Sequence, residues 1–310
     1  MDARMPVPTL IAFGETLVGR FRDRDVLGGA PFNVACHLAA FGIHPVLLTR
    51  AGKDAPGDSL LHAMTARGLD TRGLQRDPVR PTGAVEIGEA MGGQMPGMPA
   101  DQACDHIHAG MARMIGLSVH PAMIYFGTLA QRGDSRRALR ELLDAVDART
   151  FLDVNLCDPW IDVAALRWSL RHAHTVKLNE DELIRIAGYL AFDAVTVQAC
   201  ASLLITAFAL QRVVVTCGAA GAWTLDAGGR VESVPGTAVT RMVDPAGAGD
   251  AFAAVFMLGQ LYGWPVPQRL VRADAFARAV CGLHGAVPDT PEFYRPFARE
   301  WGLAGAPSHA

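Results

Sequence analysis

Short apolar runs alternating with longer amphipathic ones set the tightest limit on how this 310-residue chain can fold. Residues 10–13, 46–49, 123–126, 151–154, 175–178 and 213–216 are largely apolar and too short for helices, so they read as buried strands. Between them the spacing predicts helices over 31–41, 57–67, 135–148, 163–172, 180–187 and 195–210. Asp134 or Ser135 and Asn179 are the expected caps. A strand that is apolar on both faces needs cover on both. The pattern therefore predicts a mostly parallel sheet between two helical layers. With half of its residues hydrophobic, the chain can fill such a core as one domain spanning 1–310. No linker or internal repeat divides it.

Two regions break the alternation. Residues 19–27 are charged and extended in character, and 82–87 alternate apolar with polar positions before a Gly/Met/Pro-rich stretch at 92–99. Wet-faced strands of this kind predict a small sheet outside the main layer, a lid at about 15–27 and 80–100. After Val243 two long helices are expected, at 247–262 and 267–284. The tail from Pro288 is expected to lie on the surface.

Other classes are disfavoured by composition. Net charge is −3 with both signs dispersed, so no basic patch points to nucleic acid or to a membrane surface. No apolar run is long enough for a bilayer, and no signal-peptide core precedes the first strand, so a cytoplasmic protein is expected. The six cysteines are scattered without a CxxC pair and read as reduced thiols. His106 with His108, and His172 with His174, form two HxH pairs that lack a third clustered ligand.

Chemistry concentrates in Val243-Asp244-Pro245-Ala246-Gly247-Ala248-Gly249-Asp250-Ala251-Phe252. Glycines at a helix start let an anion approach unpaired backbone N–H groups at the positive end of the dipole. Asp250 then stands in the first turn beside any bound phosphate. Its natural role there is to take a proton from an attacking hydroxyl. An ordinary helix start with an acidic first turn would look the same. The second cluster is Gly28-Gly29-Ala30-Pro31-Phe32-Asn33-Val34-Ala35, where paired glycines precede an apolar helix. An amide at Asn33 both donates and accepts, which suits sugar hydroxyls.

Together, GGAPFNVA and DPAGAGDAF resemble the two signature motifs of the ribokinase-like (PfkB-type) carbohydrate kinases, in order and spacing. The likeness extends over Gly14-Glu15, Gly52-Lys53-Asp54-Ala55-Pro56-Gly57, Asp153-Val154-Asn155, Asn179-Glu180-Asp181-Glu182 and Thr216-Cys217-Gly218-Ala219-Ala220-Gly221. No Walker-type GxxxxGK[ST] occurs. The first strand's turn, Gly14-Glu15-Thr16-Leu17, also lacks the GxGxxG of a dinucleotide-binding dehydrogenase.

The resemblance implies a ribokinase-like, Rossmann-type three-layer α/β/α sandwich with a β-strand lid. It implies ATP-dependent phosphorylation of a primary hydroxyl of a small sugar. Asp250 would be the base and the N–H groups of Gly247, Ala248 and Gly249 the anion hole. Gly28, Gly29, Asn33 and Asp54 would hold the sugar. Lys177, Asn179, Thr216, Gly218 and Gly221 would serve the nucleotide. Glu182 would organise Mg2+ through water, and Asp244 would lie near a monovalent-cation loop, with K+ the candidate ion. A homodimer through the lid strands is implied as well.

Motifs near the start, 125–129 and the Asp153 strand look most like fructokinases. Three features depart on the acceptor side: Gly19 replaces an expected Asp, Cys157 replaces an expected Arg, which a thiol cannot imitate, and the lid stretch 92–99 is rich in Gly, Met and Pro where relatives tend to show aromatic and basic residues. Fructose is therefore expected to be a poor acceptor. A nucleoside (adenosine-type) kinase and a non-catalytic ligand-binding member of the fold are the alternatives.

Overall fold

The computed structural model describes residues 8–22, 24–86, 99–158, 161–236 and 242–303. Strand β1 (Thr9–Phe13) leads into β2 (Leu17–Arg20), β3 (Asp25–Gly28) and helix α1 (Ala30–Ala40). Strand β4 (His44–Gly52), α2 (Ala55–Ala66), β5 (Leu74–Asp77) and β6 (Gly83–Glu86) follow. The middle alternates α3 (Ala109–Val119), β7 (Met123–Gly127), α4 (Ser135–Ala145), β8 (Arg149–Asp153), α5 (Val163–His172), β9 (Thr175–Asn179), α6 (Glu180–Leu190), α7 (Val197–Phe208) and β10 (Arg212–Thr216). Strands β11 (Gly221–Asp226) and β12 (Val231–Pro235) precede α8 (Ala248–Leu261), α9 (Val266–Val280) and α10 (Arg295–Glu300).

Among the described residues nine strands form one sheet in the order β12-β11-β10-β9-β8-β7-β1-β4-β5. From β5 to β10 neighbours run parallel, while β11 and β12 pair antiparallel. Strand side chains alternate between two cores, as the pleat requires. Leu10, Ala12 and Leu47 face the cluster formed with α1, α8 and α9. Ile11, Phe13, Val46 and Leu48 face the cluster formed with helices α3 to α7. Helix α8 has no polar face from Ala251 to Gly259, because sheet and neighbouring helices bury it all round. Chain order reverses between β1 and β7, so the crevice at the carboxyl ends of these strands is the expected place for a ligand.

The small sheet forms as expected, from β3, β2 and β6, with β2 antiparallel to β3 and parallel to β6. Its inner side chains Leu17 and Val85 pack with Cys104 and Leu129, seating the lid on the exit of β7. Most of the 92–99 stretch and Ile87 lie outside the described residues. Gly19 occupies β2 in register with Val26 and Val85.

Other readings need correction. The tail is not a surface strap: Tyr294, Ala298 and Trp301 are buried in the core beneath α1 and α9. There, Tyr294 Oη lies 3.0 Å from Nδ1 of the buried His37. Asp134 stands at the start of α4, but its carboxylate turns to His106 Nδ1 (2.9 Å) instead of the helix N–H groups. His106 Nε2 meets Asp101 (2.7 Å), and His108 caps α3. Neither HxH pair belongs to a metal cluster among the described residues. Among those residues no helix is long and apolar enough to cross a membrane.

Candidate active site

A cavity of about 420 Å³ opens where the parallel strands end. Five consecutive strands deliver residues to it: Glu15 after β1, Leu129 after β7, Asp153 on β8, Lys177 on β9 and Thr216 on β10. The start of α8 closes it with Ala248, Gly249 and Asp250. Asn179, Glu182, Gly218 and Gly221 line it too, so the residues expected to meet the nucleotide share one space with the expected base.

Asp250 sits in the first turn of α8 and accepts from Asn33 Nδ2 at 2.7 Å. Burial pushes its carboxyl up to about 6, the nearby Asp153 adds to the rise, and Asn33 and Lys177 oppose it. Lys177 Nζ donates to Asp153 Oδ1 at 2.8 Å, and Tyr125 Oη donates to the other carboxylate oxygen at 3.2 Å. Burial works against the Lys177 charge, but the pair with Asp153 overcomes this and holds the amine above its usual range. A Cβ on Gly249 would stand 3.0 Å from Lys177 Nζ, which places the ammonium against the first turn of α8. Two positive features, a paired lysine and a helix N-terminus, thus adjoin one activated carboxylate.

Gly247 caps α8 at φ 78°, and a Cβ there would lie 2.2 Å from Ala286 Cβ. It sets the turn without lining the cavity. Ala248 N–H donates to Pro245 O at 3.3 Å, while the N–H groups of Gly249 and Asp250 stand in the first turn, beyond the reach of helix carbonyls. Asn179 and Glu182 form a reciprocal capping box at the start of α6, with bonds of 2.8 and 2.9 Å. Glu182 Oε1 also accepts from Leu156 N at 3.2 Å. Burial raises the Glu182 carboxyl above its ordinary range. At the far end of the cavity the Arg278 guanidinium grips Asp274 and reaches the carbonyls of Gly218 and Ala219.

Several expected site residues lie elsewhere. Asp54 caps α2 through Gly57 N (2.9 Å) and accepts from Thr82 N (2.8 Å) and Thr82 Oγ1 (2.6 Å), so its carboxylate ties core to lid strand. Asp244 bonds Ala246 N (2.9 Å) and Gly285 N (3.1 Å), bracing the approach to α8. Gly28 ends β3, and Gly29 adopts φ 103° where a Cβ would lie 2.7 Å from Glu15 O. Gly29 thus lets α1 close onto the exit of β1, while a Cβ on Gly28 would meet open space. Glu15, Asp153 and Tyr125 stood in the motifs that carry the resemblance but were given no role, and Arg278 was not singled out from sequence. Glu15 and Asp153 each stand at a strand exit facing α8, a signal available only once strand order is known.

A parallel sheet whose strand ends converge on a helix N-terminus, a buried lysine and an activated carboxylate defines a site for transfer to or from an anionic group. The pfkB family carbohydrate kinase model matches residues 2–292, and the chain belongs to that family; it is an ATP-dependent carbohydrate kinase. The chain is 30% identical to a fructokinase of Escherichia coli over 242 residues, 75% of this chain and 76% of the relative. The fold is shared with the fructokinase of Vibrio cholerae crystallised with fructose, ADP and calcium (TM-score 0.79, 21% identity, covering 93% and 98% of the two chains). It is shared equally with an aminoimidazole riboside kinase of Salmonella enterica bound to its riboside and an ATP analogue (TM-score 0.78, 19% identity, 94% and 99%).

Proposed function

We propose that the protein transfers the γ-phosphoryl of ATP to a primary hydroxyl of a small sugar, with Asp250 as the general base. The observation that carries this reading is the position of Asp250. It stands on the first turn of α8, shares a cavity with Lys177, and has a carboxyl raised to about 6, near the working range of a base. The acceptor hydroxyl gives its proton to Asp250 as its oxygen attacks the γ-phosphorus. The N–H groups at the start of α8, those of Gly249 and Asp250 foremost, face the charge that develops on the phosphoryl oxygens. Lys177, held by Asp153, adds positive charge without titrating. Asn33 fixes the orientation of the base. Thr216, Gly218 and Gly221 line the nucleotide end, and Arg278 holds the turn between them.

The residues present fit magnesium that arrives on the nucleotide. Among the described residues no cluster of three His, Cys, Asp or Glu could hold a metal alone, whereas Glu182 lines the cavity and could meet a water-clad ion. When bound, the ion would neutralise phosphate charge. We read Asp244 and Asp54 as braces of this site. The homodimer reading rests on β3 and β6, each paired on one side only among the described strands.

A coupled ADP-release assay with Mg-ATP tests this against fructose, tagatose, ribose, 2-keto-3-deoxygluconate and adenosine. Turnover of a sugar that falls by two orders of magnitude or more in Asp250→Asn is expected (~10²–10⁴ for a general base). Adenosine as the best acceptor would favour the nucleoside-kinase alternative, and an active Asp250→Asn would remove the base assignment. Fructose is expected to be the weaker ketose, because Gly19 and Cys157 stand where a carboxylate and a guanidinium are expected.

A further inference from the structure

Glu15 is the least explained polar group of the cavity. It leaves β1 at the switch point, is 4% exposed, and lines the same space as Asp250. Its Oε2 is buried without a hydrogen-bond partner. Leaving a buried carboxyl oxygen unmatched is costly, so such a group needs a ligand or a strong structural reason. The packing supplies no structural partner. Asp250 on α8, Asp153 on β8 and Tyr125 on β7 lie within electrostatic reach of it, and each is acidic or already bonded. Cys104 before α3 and Cys157 after β8 lie within electrostatic reach and carry no positive charge. The nearby cation, Arg132, is engaged by Asp105 Oδ2 (3.0 Å) and Pro99 O (2.6 Å). Lys177 is engaged by Asp153.

Three carboxyl groups therefore stand close together in this cavity, and the two cations near them, Arg132 and Lys177, are already paired. An anionic acceptor would bring a second charge beside the Asp250 carboxylate in a desolvated space, where burial already disfavours charge on Glu15. A hydroxyl or ammonium proton would instead satisfy Glu15 Oε2. Cys157, whose Sγ turns to Asn155 Oδ1 at 3.2 Å, offers no guanidinium to offset the acids.

We propose that Glu15 binds the acceptor directly, receiving a hydroxyl or ammonium proton at Oε2, and that it makes the site select neutral or amino sugars over sugar acids. This rests on the kinase reading above and names the acceptor class for it. Burial pushes the Glu15 carboxyl up to about 8, with Asp250 and Asp153 adding to the rise. At neutral pH it holds a proton and can donate as well as accept, as a sugar hydroxyl does.

The test measures acceptor and ATP KM separately for wild type, Glu15→Leu and Glu15→Gln, with tagatose, glucosamine and 2-keto-3-deoxygluconate. Wild type is expected to use a neutral or amino sugar with kcat/KM at least 100-fold above that for the sugar acid. In Glu15→Leu the acceptor KM is expected to rise about tenfold while ATP KM stays within twofold, the scale of one lost hydrogen bond. Glu15→Gln, which keeps a donor and an acceptor, is expected to fall between the two. A purely structural Glu15 would move both KM values together, without rescue by Gln. An unchanged acceptor KM in Glu15→Leu, or the sugar acid as best acceptor, overturns the proposal. Should no acceptor release ADP, the kinase reading fails on this panel. Calorimetric titration of the same sugars then reads Glu15 directly, with a non-hydrolysable ATP analogue bound. Neutral-sugar binding that Leu weakens tenfold upholds the proposal, while equal binding, or none by wild type, overturns it.

Discussion

Replacing Asn33 with Leu tests how the base is tuned. Asn33 is 5% exposed, and its Nδ2 is the side-chain donor to Asp250, at 2.7 Å. Leu fills a similar volume and keeps water out. The bond favours the charged carboxylate, so its loss favours the protonated form and raises the Asp250 pKa. A hydrogen bond to a charged group contributes roughly 1.5–3 kcal/mol. At about 1.36 kcal/mol per pKa unit, the shift is about 1–2 units. The acid limb of kcat/KM therefore moves from about 6 in wild type to roughly 7–8 in the variant. At pH 6.5 a base moved to roughly 7.5 is about eightfold less ionised, and by pH 9 that part of the deficit has gone. The assay is kcat/KM from pH 5 to 9.5 at saturating ATP. A limb that stays in place, or moves down, would refute the reasoning. So would a deficit equal at every pH, which would make Asn33 an acceptor contact without influence on the base.

Three further substitutions probe the supports of the site. Lys177→Met strands the buried Asp153 carboxylate and is expected to cost about 3–5 kcal/mol in urea unfolding at pH 7, along with activity; Lys177→Met/Asp153→Leu recovers stability but not turnover. Wild-type-like stability of the single variant would contradict the pair's role. Gly247→Ala forces a left-handed cap and a 2.2 Å clash with Ala286, and is expected to lose about 1–3 kcal/mol and raise ATP KM; an unchanged KM would show that the cap does not shape the phosphate site. Thr82→Val removes the donor to Asp54 (2.6 Å) and the acceptor for Gly52 N (2.9 Å), and about 1–3 kcal/mol of unfolding free energy should go with them. A neutral result would mean that the Thr82 hydroxyl adds nothing to the tie that its N–H makes with Asp54.

Six of the seven parallel strands described in the large sheet were legible because they are apolar on both faces, and α8 because of its unbroken apolar run; β5, Leu-Gln-Arg-Asp at the sheet edge, carries no such run and was missed. The antiparallel pair β11–β12 was not, since β12 alternates half-buried and exposed positions at the sheet edge and carries little pattern. Helix α3 was hidden because Met111, Met114 and Leu117 stay exposed and blur its apolar stripe. Asp250 and Asn33 were visible as motif residues, but their bond across the chain was not. A capping aspartate and a sugar-binding one read alike in sequence, so the cap that Asp54 makes on α2 and its bonds to Thr82 were not legible. The convergence of Glu15, Asp153 and Asp250 depends on strand order, which no local pattern encodes.

The bond between Asn33 and Asp250 joins positions 217 residues apart, and His37 meets Tyr294 across 257. Strand β1 lies inside the sheet, between β7 and β4, and Tyr294 braces α1 from the far side of the sequence. During synthesis Asn33 thus has no carboxylate to hold until Asp250 is made, and His37 no cover until Tyr294 is made. Such long-range closure slows folding. It also means that a chain released before Asp250 holds neither the proposed base nor the turn at the start of α8, so phosphoryl transfer is out of its reach.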